Sequence, residues 1–121
     1  MARATIDRDL PAEPAVDEKL QGELKGWLGA GSFEALIDQC WKDADRVIAD
    51  LADLERAKAR EKMRAAAHQL RGLALSFGYP KLAGLAGRLE TACQKADADL
   101  PATSDIEAAA VAARLAQGRL S

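Results

Sequence analysis

Residues 63–80 read M-R-A-A-A-H-Q-L-R-G-L-A-L-S-F-G-Y-P. Apolar side chains recur at Met63, Ala66, Ala67, Leu70, Leu73, Ala74 and Phe77. Each residue of an α-helix turns by about 100°, so with Leu70 as origin these seven fall within an arc of about 120°. The stretch is predicted to be a helix that buries one stripe. Gly78 suits a left-handed cap at its end, and Pro80 suits the first turn of a following helix. That next helix would place Leu82, Leu85, Ala86, Leu89, Cys93 and Ala96 on one face.

The same period extends outward in both directions. Upstream, Phe33, Ile37, Cys40, Trp41, Ala44, Ile48 and Leu51 form a stripe, widened by Leu36, Val47 and Leu54. Ser32 is the expected N-cap, with Glu34 in the first turn. A turn is expected over 56–60, because one helix from 33 to 77 would be too long for a small domain, although no Gly or Pro marks it. Asp17 is expected to cap a short helix on which Leu20, Leu24, Trp27 and Leu28 share a face, broken by Gly29, Ala30 and Gly31. Downstream, residues 97–101 read as a loop. Ser104-Asp105-Ile106-Glu107 reads as a capping box opening a last helix with Ile106, Ala109, Ala110, Ala113 and Ala116 inward.

Composition agrees. Of 121 residues, 27 are Ala and 16 are Leu, against 10 Val, Ile and Thr together and 5 aromatics, so helix formers dominate. The expected fold is all-α: an antiparallel up-down four-helix bundle with a short N-terminal capping helix. Residues 1–15, with Pro11 and Pro14, read as a flexible N-terminal tail, and 16–121 as one helical bundle domain.

Charge and hydropathy exclude several classes. The chain has 17 Lys and Arg against 19 Asp and Glu, a net charge of −2, so no basic surplus points to nucleic acid. The longest uncharged run, residues 72–80, is too short to span a bilayer, and the charged first ten residues lack a signal peptide's apolar core. A cytoplasmic location and no membrane partner are the defaults. Cys40 and Cys93 each fall within an apolar stripe and read as small buried hydrophobes. With a single histidine and no cysteine pair at ligand spacing, no metal site is expected.

That histidine carries the functional signal. His68 lies about 160° from Leu70, nearly opposite the core stripe. Orientation alone is compatible with an idle surface histidine. Its neighbours are less ordinary. Arg64 and Arg71, at i−4 and i+3, reach the same side. Gly72, at i+4, costs about 1 kcal/mol in a helix interior relative to alanine, so something must approach closely there. Leu75, at i+7, puts an apolar side chain on the polar face. A neutral imidazole is a nucleophile, and guanidinium groups stabilise phosphoryl oxygens. This cluster fits phosphoryl transfer on a docking surface.

Residues 68–90, H-Q-L-R-G-L-A-L-S-F-G-Y-P-K-L-A-G-L-A-G-R-L-E, resemble the signature of the histidine-containing phosphotransfer (HPt) domain family. The positions that carry the resemblance are His68, Leu70, Arg71, Gly72, Gly78, Leu82, Leu89 and Glu90. A weaker likeness extends over about residues 17–117. The resemblance implies that His68 accepts a phosphoryl group on Nε2 from a response-regulator (receiver) aspartate and relays it to another. It makes Arg71 and Arg64 phosphate-stabilising, Gly72 the clearance for the partner, and Leu75 part of the docking surface. Arg71 stands where the family usually has Lys, which keeps the charge but changes its geometry. Leu73, often a small residue in the family, faces the core by the wheel. The implied partners are receiver domains, hybrid histidine kinases or both, and a monomer is the default expectation because the exposed face is already assigned to a partner. The family brings no cofactor of its own, and Mg²⁺ is expected in the partner receiver domain. Neither a nucleotide site nor kinase activity is implied, in keeping with the lack of a glycine-rich phosphate loop. Two alternatives share the surface: a docking or regulatory module that carries no phosphate, and a structural bundle with an incidental motif.

Overall fold

The computed structural model describes residues 13–95, 100 and 102–120, and these form five helices and no strand. They are α1 (Glu18–Leu28), α2 (Ala30–Ala57), α3 (Arg60–Phe77), α4 (Pro80–Gln94) and α5 (Thr103–Leu120). Helix α2 touches α1, α3 and α5, and α4 touches α3 and α5, so α2 to α5 close a ring around one core. The expected tail lies mostly outside the described residues, as do Ala96 and most of the loop at 97–101.

The apolar stripes are the core, except that Leu36, at the margin of the α2 stripe, is exposed. Phe33, Ile37, Cys40, Trp41, Ala44, Val47, Ile48 and Leu51 of α2 are buried. So are Met63, Ala67, Leu70 and Ala74 of α3, with Ala66, Leu73 and Phe77 at its margin. Leu82, Ala86, Leu89 and Cys93 of α4 face them, and Ile106, Ala109, Ala110 and Ala113 of α5 complete the wall. Both cysteines are free and buried. Burial, then the neighbouring Asp43 carboxylate, pushes the Cys40 thiol up to about 11, far from the thiolate range.

Three expected helix starts or faces are corrected. Ser32 is not the cap of α2: the helix begins at Ala30, and Glu34 lies beyond its first turn. Gly29 alone turns the corner, at φ 87°, donating to the Lys25 carbonyl and accepting from the Phe33 amide. A glycine takes that conformation without a Cβ penalty, so the helix starts before Ser32 is reached. Ser104 is likewise a first-turn residue of α5 rather than its cap, because the helix begins at Thr103. The Thr103 hydroxyl donates to Glu55 Oε1 at 2.5 Å, tying the start of α5 to the end of α2. On α1, neither Trp27 nor Leu28 lies on a buried face; they are 82% and 43% exposed. The residue turned inward is Gln21, whose hydrogen bonds set the helix rotation and carry Trp27 out to solvent. The Asp17 cap is observed, its Oδ1 accepting from the Leu20 amide at 3.0 Å.

The turn expected over 56–60 falls at Lys58 and Ala59. Lys58 adopts φ 56°, ψ 34°, a left-handed conformation that costs a side-chain-bearing residue about 1–2 kcal/mol. Arg60 then donates to the Ala92 and Lys95 carbonyls, satisfying acceptors at the end of α4. Gly78 caps α3 at φ 85°, and Pro80 opens α4. A Cβ on Gly78 would also sit 3.0 Å from Gln21 Cγ, so strain and space both demand glycine there.

A buried polar network joins the ends of four helices. Gln21 Nε2 donates to the Phe77 carbonyl (2.8 Å) and to Gln117 Oε1 (2.9 Å). The same Gln117 oxygen accepts from the Tyr79 hydroxyl at 2.6 Å, and that hydroxyl accepts from Trp41 Nε1 at 3.1 Å. Tyr79→Phe would leave the buried indole N–H without its acceptor. The expected loss is about 1–3 kcal/mol in urea unfolding, with an unchanged m-value. A loss under about 0.3 kcal/mol would mean that the network adds no net stability.

Candidate functional site

Helix α3 buries Met63, Ala67, Leu70 and Ala74. The helical period then fixes the opposite face, and His68 stands on it with its side chain 67% exposed. Its ring does not float free. Nδ1 lies 2.8 Å from Oε2 of Glu90 on α4. A carboxylate only accepts hydrogen bonds, so this contact places a proton on Nδ1, and in the neutral ring the lone pair is then on Nε2.

Glu90 is well placed to hold that ring, because its side chain is only 15% exposed at the α3–α4 seam. Its other oxygen, Oε1, is 4.0 Å from Nη1 of Arg71. One carboxylate thus sits between the imidazole and a guanidinium. Leu89, the residue before it, is fully buried and anchors this turn of α4.

The remaining candidates are distributed around this pair. Arg64 is one turn before His68 and ion-pairs with Glu61, Nη2 to Oε1 at 3.2 Å. Gly72 is exposed, and a Cβ built there meets no atom within 4 Å. No contact within the chain therefore requires a glycine at this position. Leu75 is 51% exposed, on the same side as His68. Among the five residues singled out from the sequence, the structure draws His68 and Arg71 together through Glu90. Arg64 instead engages its own neighbour.

Glu90 is the site residue that sequence reasoning passed over as a partner of the imidazole. The signal available was its place at the end of the motif, but contact with His68 depends on how α4 is rotated against α3. Among the described residues, no helix is long and apolar enough to cross a membrane.

These features define an all-helical module that presents one imidazole on an open face. Residues 35–118 match the family model described as the Hpt domain, and the chain belongs to that family. Hpt domains are phosphocarrier modules of two-component signalling that interact with receiver domains and histidine kinases. No curated protein and no solved structure matches the chain.

Proposed function

We propose that this protein is a phosphorelay intermediate that carries the phosphoryl group on Nε2 of His68. The observation that carries the reading is the hydrogen bond from Nδ1 to Glu90, which leaves a nucleophilic nitrogen on an exposed ring. The Nε2 lone pair attacks the phosphorus of a receiver's aspartyl phosphate. The P–O bond to the aspartate breaks, and the carboxylate leaves with that electron pair. The ring keeps its Nδ1 proton and becomes a phosphorylated imidazolium, whose positive charge faces the Glu90 carboxylate. Return of the group to another receiver's aspartate reverses these steps.

Arg71 supplies positive charge beside the phosphoryl oxygens. Arg64 supplies more once it leaves Glu61, an exposed pair worth about 1 kcal/mol or less. Gly72 is the gap through which the receiver's acidic pocket, with its Mg²⁺, reaches the ring. Leu75 offers apolar contact to that partner. The scaffold is read as an up-down four-helix bundle of α2 to α5, with α1 as a cap over one end. The ring of helix contacts and the two-residue links 58–59 and 78–79 support this. Residues 16–121 form the domain, working as a monomer in the cytoplasm.

The test is transfer from a panel of receiver domains labelled on aspartate. At least one receiver is expected to pass its label to this protein, in a form labile to acid and stable to alkali. Tight binding of a receiver without transfer would replace the relay with a docking module. A label stable to acid would place the phosphate on another residue type.

A further inference from the structure

Gly87 lies inside α4, where alanine would hold the helix better by about 1 kcal/mol. The same helix uses alanine at positions 83, 86 and 92. A Cβ built on Gly87 would come 3.3 Å from Cδ of Arg71 and 3.4 Å from its Nε. The Arg71 stem therefore lies against the bare backbone of α4. Gly87 is one turn before Glu90, so both share a face of that helix. The guanidinium continues from the Gly87 seat to the Glu90 carboxylate, 4.0 Å away, which holds His68 through its other oxygen.

We propose that Gly87 is a positioning residue for the phosphate site, seating Arg71 so that its guanidinium stays beside Glu90 and His68. This rests on the reading of His68 as the phosphorylated residue. The crowded atoms belong to the outer part of a flexible side chain, so a methyl group at 87 moves Arg71 rather than the helix. Room for that movement exists. An open groove of about 700 Å³ borders Arg71, lined also by Gly84, Arg88 and Thr91. An arginine displaced into it keeps its solvation but leaves the carboxylate.

The test is a double-mutant cycle with Gly87→Ala and Arg71→Ala, using phosphoramidate as donor. In that reaction Nε2 attacks phosphorus, the P–N bond breaks, and ammonia leaves. No partner protein is involved, so the result is independent of whether any receiver transfers to the chain. Gly87→Ala is expected to label His68 roughly five- to tenfold more slowly than wild type. Its thermal midpoint is expected to be unchanged or higher. In the Arg71→Ala background the same change is expected to have no further effect, because no side chain remains to be displaced. Labelling of Gly87→Ala at the wild-type rate would overturn the proposal. So would an equal loss in both backgrounds, which would make Gly87 a packing residue acting without Arg71.

Discussion

His68→Gln is expected to reduce labelling from any phosphorylated receiver to background, with the far-UV circular dichroism unchanged. The loss is complete rather than graded because the chain has one histidine. A glutamine amide nitrogen shares its lone pair with the carbonyl and does not attack phosphorus. The fold is spared for separate reasons. His68 is exposed on the face of α3 opposite Leu70, and glutamine is a better helix former than histidine. The amide also keeps a donor for Glu90. Stability is expected to stay within about 0.5 kcal/mol of wild type, as for other exposed substitutions. Label that survives His68→Gln would remove the imidazole from the mechanism altogether.

Gly72→Glu separates folding from transfer most sharply. Apart from its chain neighbours and the backbone of its own helix, nothing lies within 4 Å of a Cβ at this position, so a side chain fits the isolated protein. Replacing a mid-helix glycine is expected to raise stability by up to about 1 kcal/mol. Transfer is expected to fall by two or more orders of magnitude, roughly the loss that misplacing reacting groups by 1 Å produces. Two effects add. The carboxylate stands one turn from His68 and repels the incoming phosphoryl group. In the proposed relay its bulk also fills the gap through which a receiver's acidic pocket would pass. Gly72→Ala supplies the control, with the added volume of one methyl group and no charge. Receiver transfer by Gly72→Glu at the wild-type rate would show that the glycine serves neither clearance nor charge.

Much of this arrangement was legible in the sequence because a helix has one period. The stripe from Met63 to Phe77 places Leu70 inward and His68 outward without reference to any other element. Gly78 and Pro80 mark the α3–α4 corner through conformations that those residue types favour. The α2–α3 corner carries no such mark. Its left-handed position is filled by Lys58, a residue with no preference for it, where the Lys58 and Ala59 amides donate to the Glu55 and Leu54 carbonyls. Ser32 and Ser104 misled for the opposite reason. They are good caps by type, yet α2 already begins at Ala30, after Gly29, and α5 at Thr103. Trp27 looked inward by spacing, but Gln21 governs how α1 is turned. The Glu90–His68 and Arg71–Gly87 contacts were out of reach, since each depends on the rotation of α4 against α3. That rotation is written in no single helix.

Two of the molecule's polar constellations differ in how much chain they enclose. His68 and Glu90 are 22 positions apart, on consecutive helices joined by a tight turn. Gln21 and Gln117 are 96 apart and bring the first helix to the last. Closing a short loop costs less entropy than closing a long one, and local contacts form sooner. The consequence is an order in time. The α3–α4 hairpin, and with it the imidazole–carboxylate pair, can assemble while distant segments are still unfolded. The Gln21–Gln117 bond must wait until nearly the whole chain is in place. It acts as a late latch, and a chain cut short before Gln117 would keep the hairpin sequence that bears His68 while losing the bond that ties the first helix to the last.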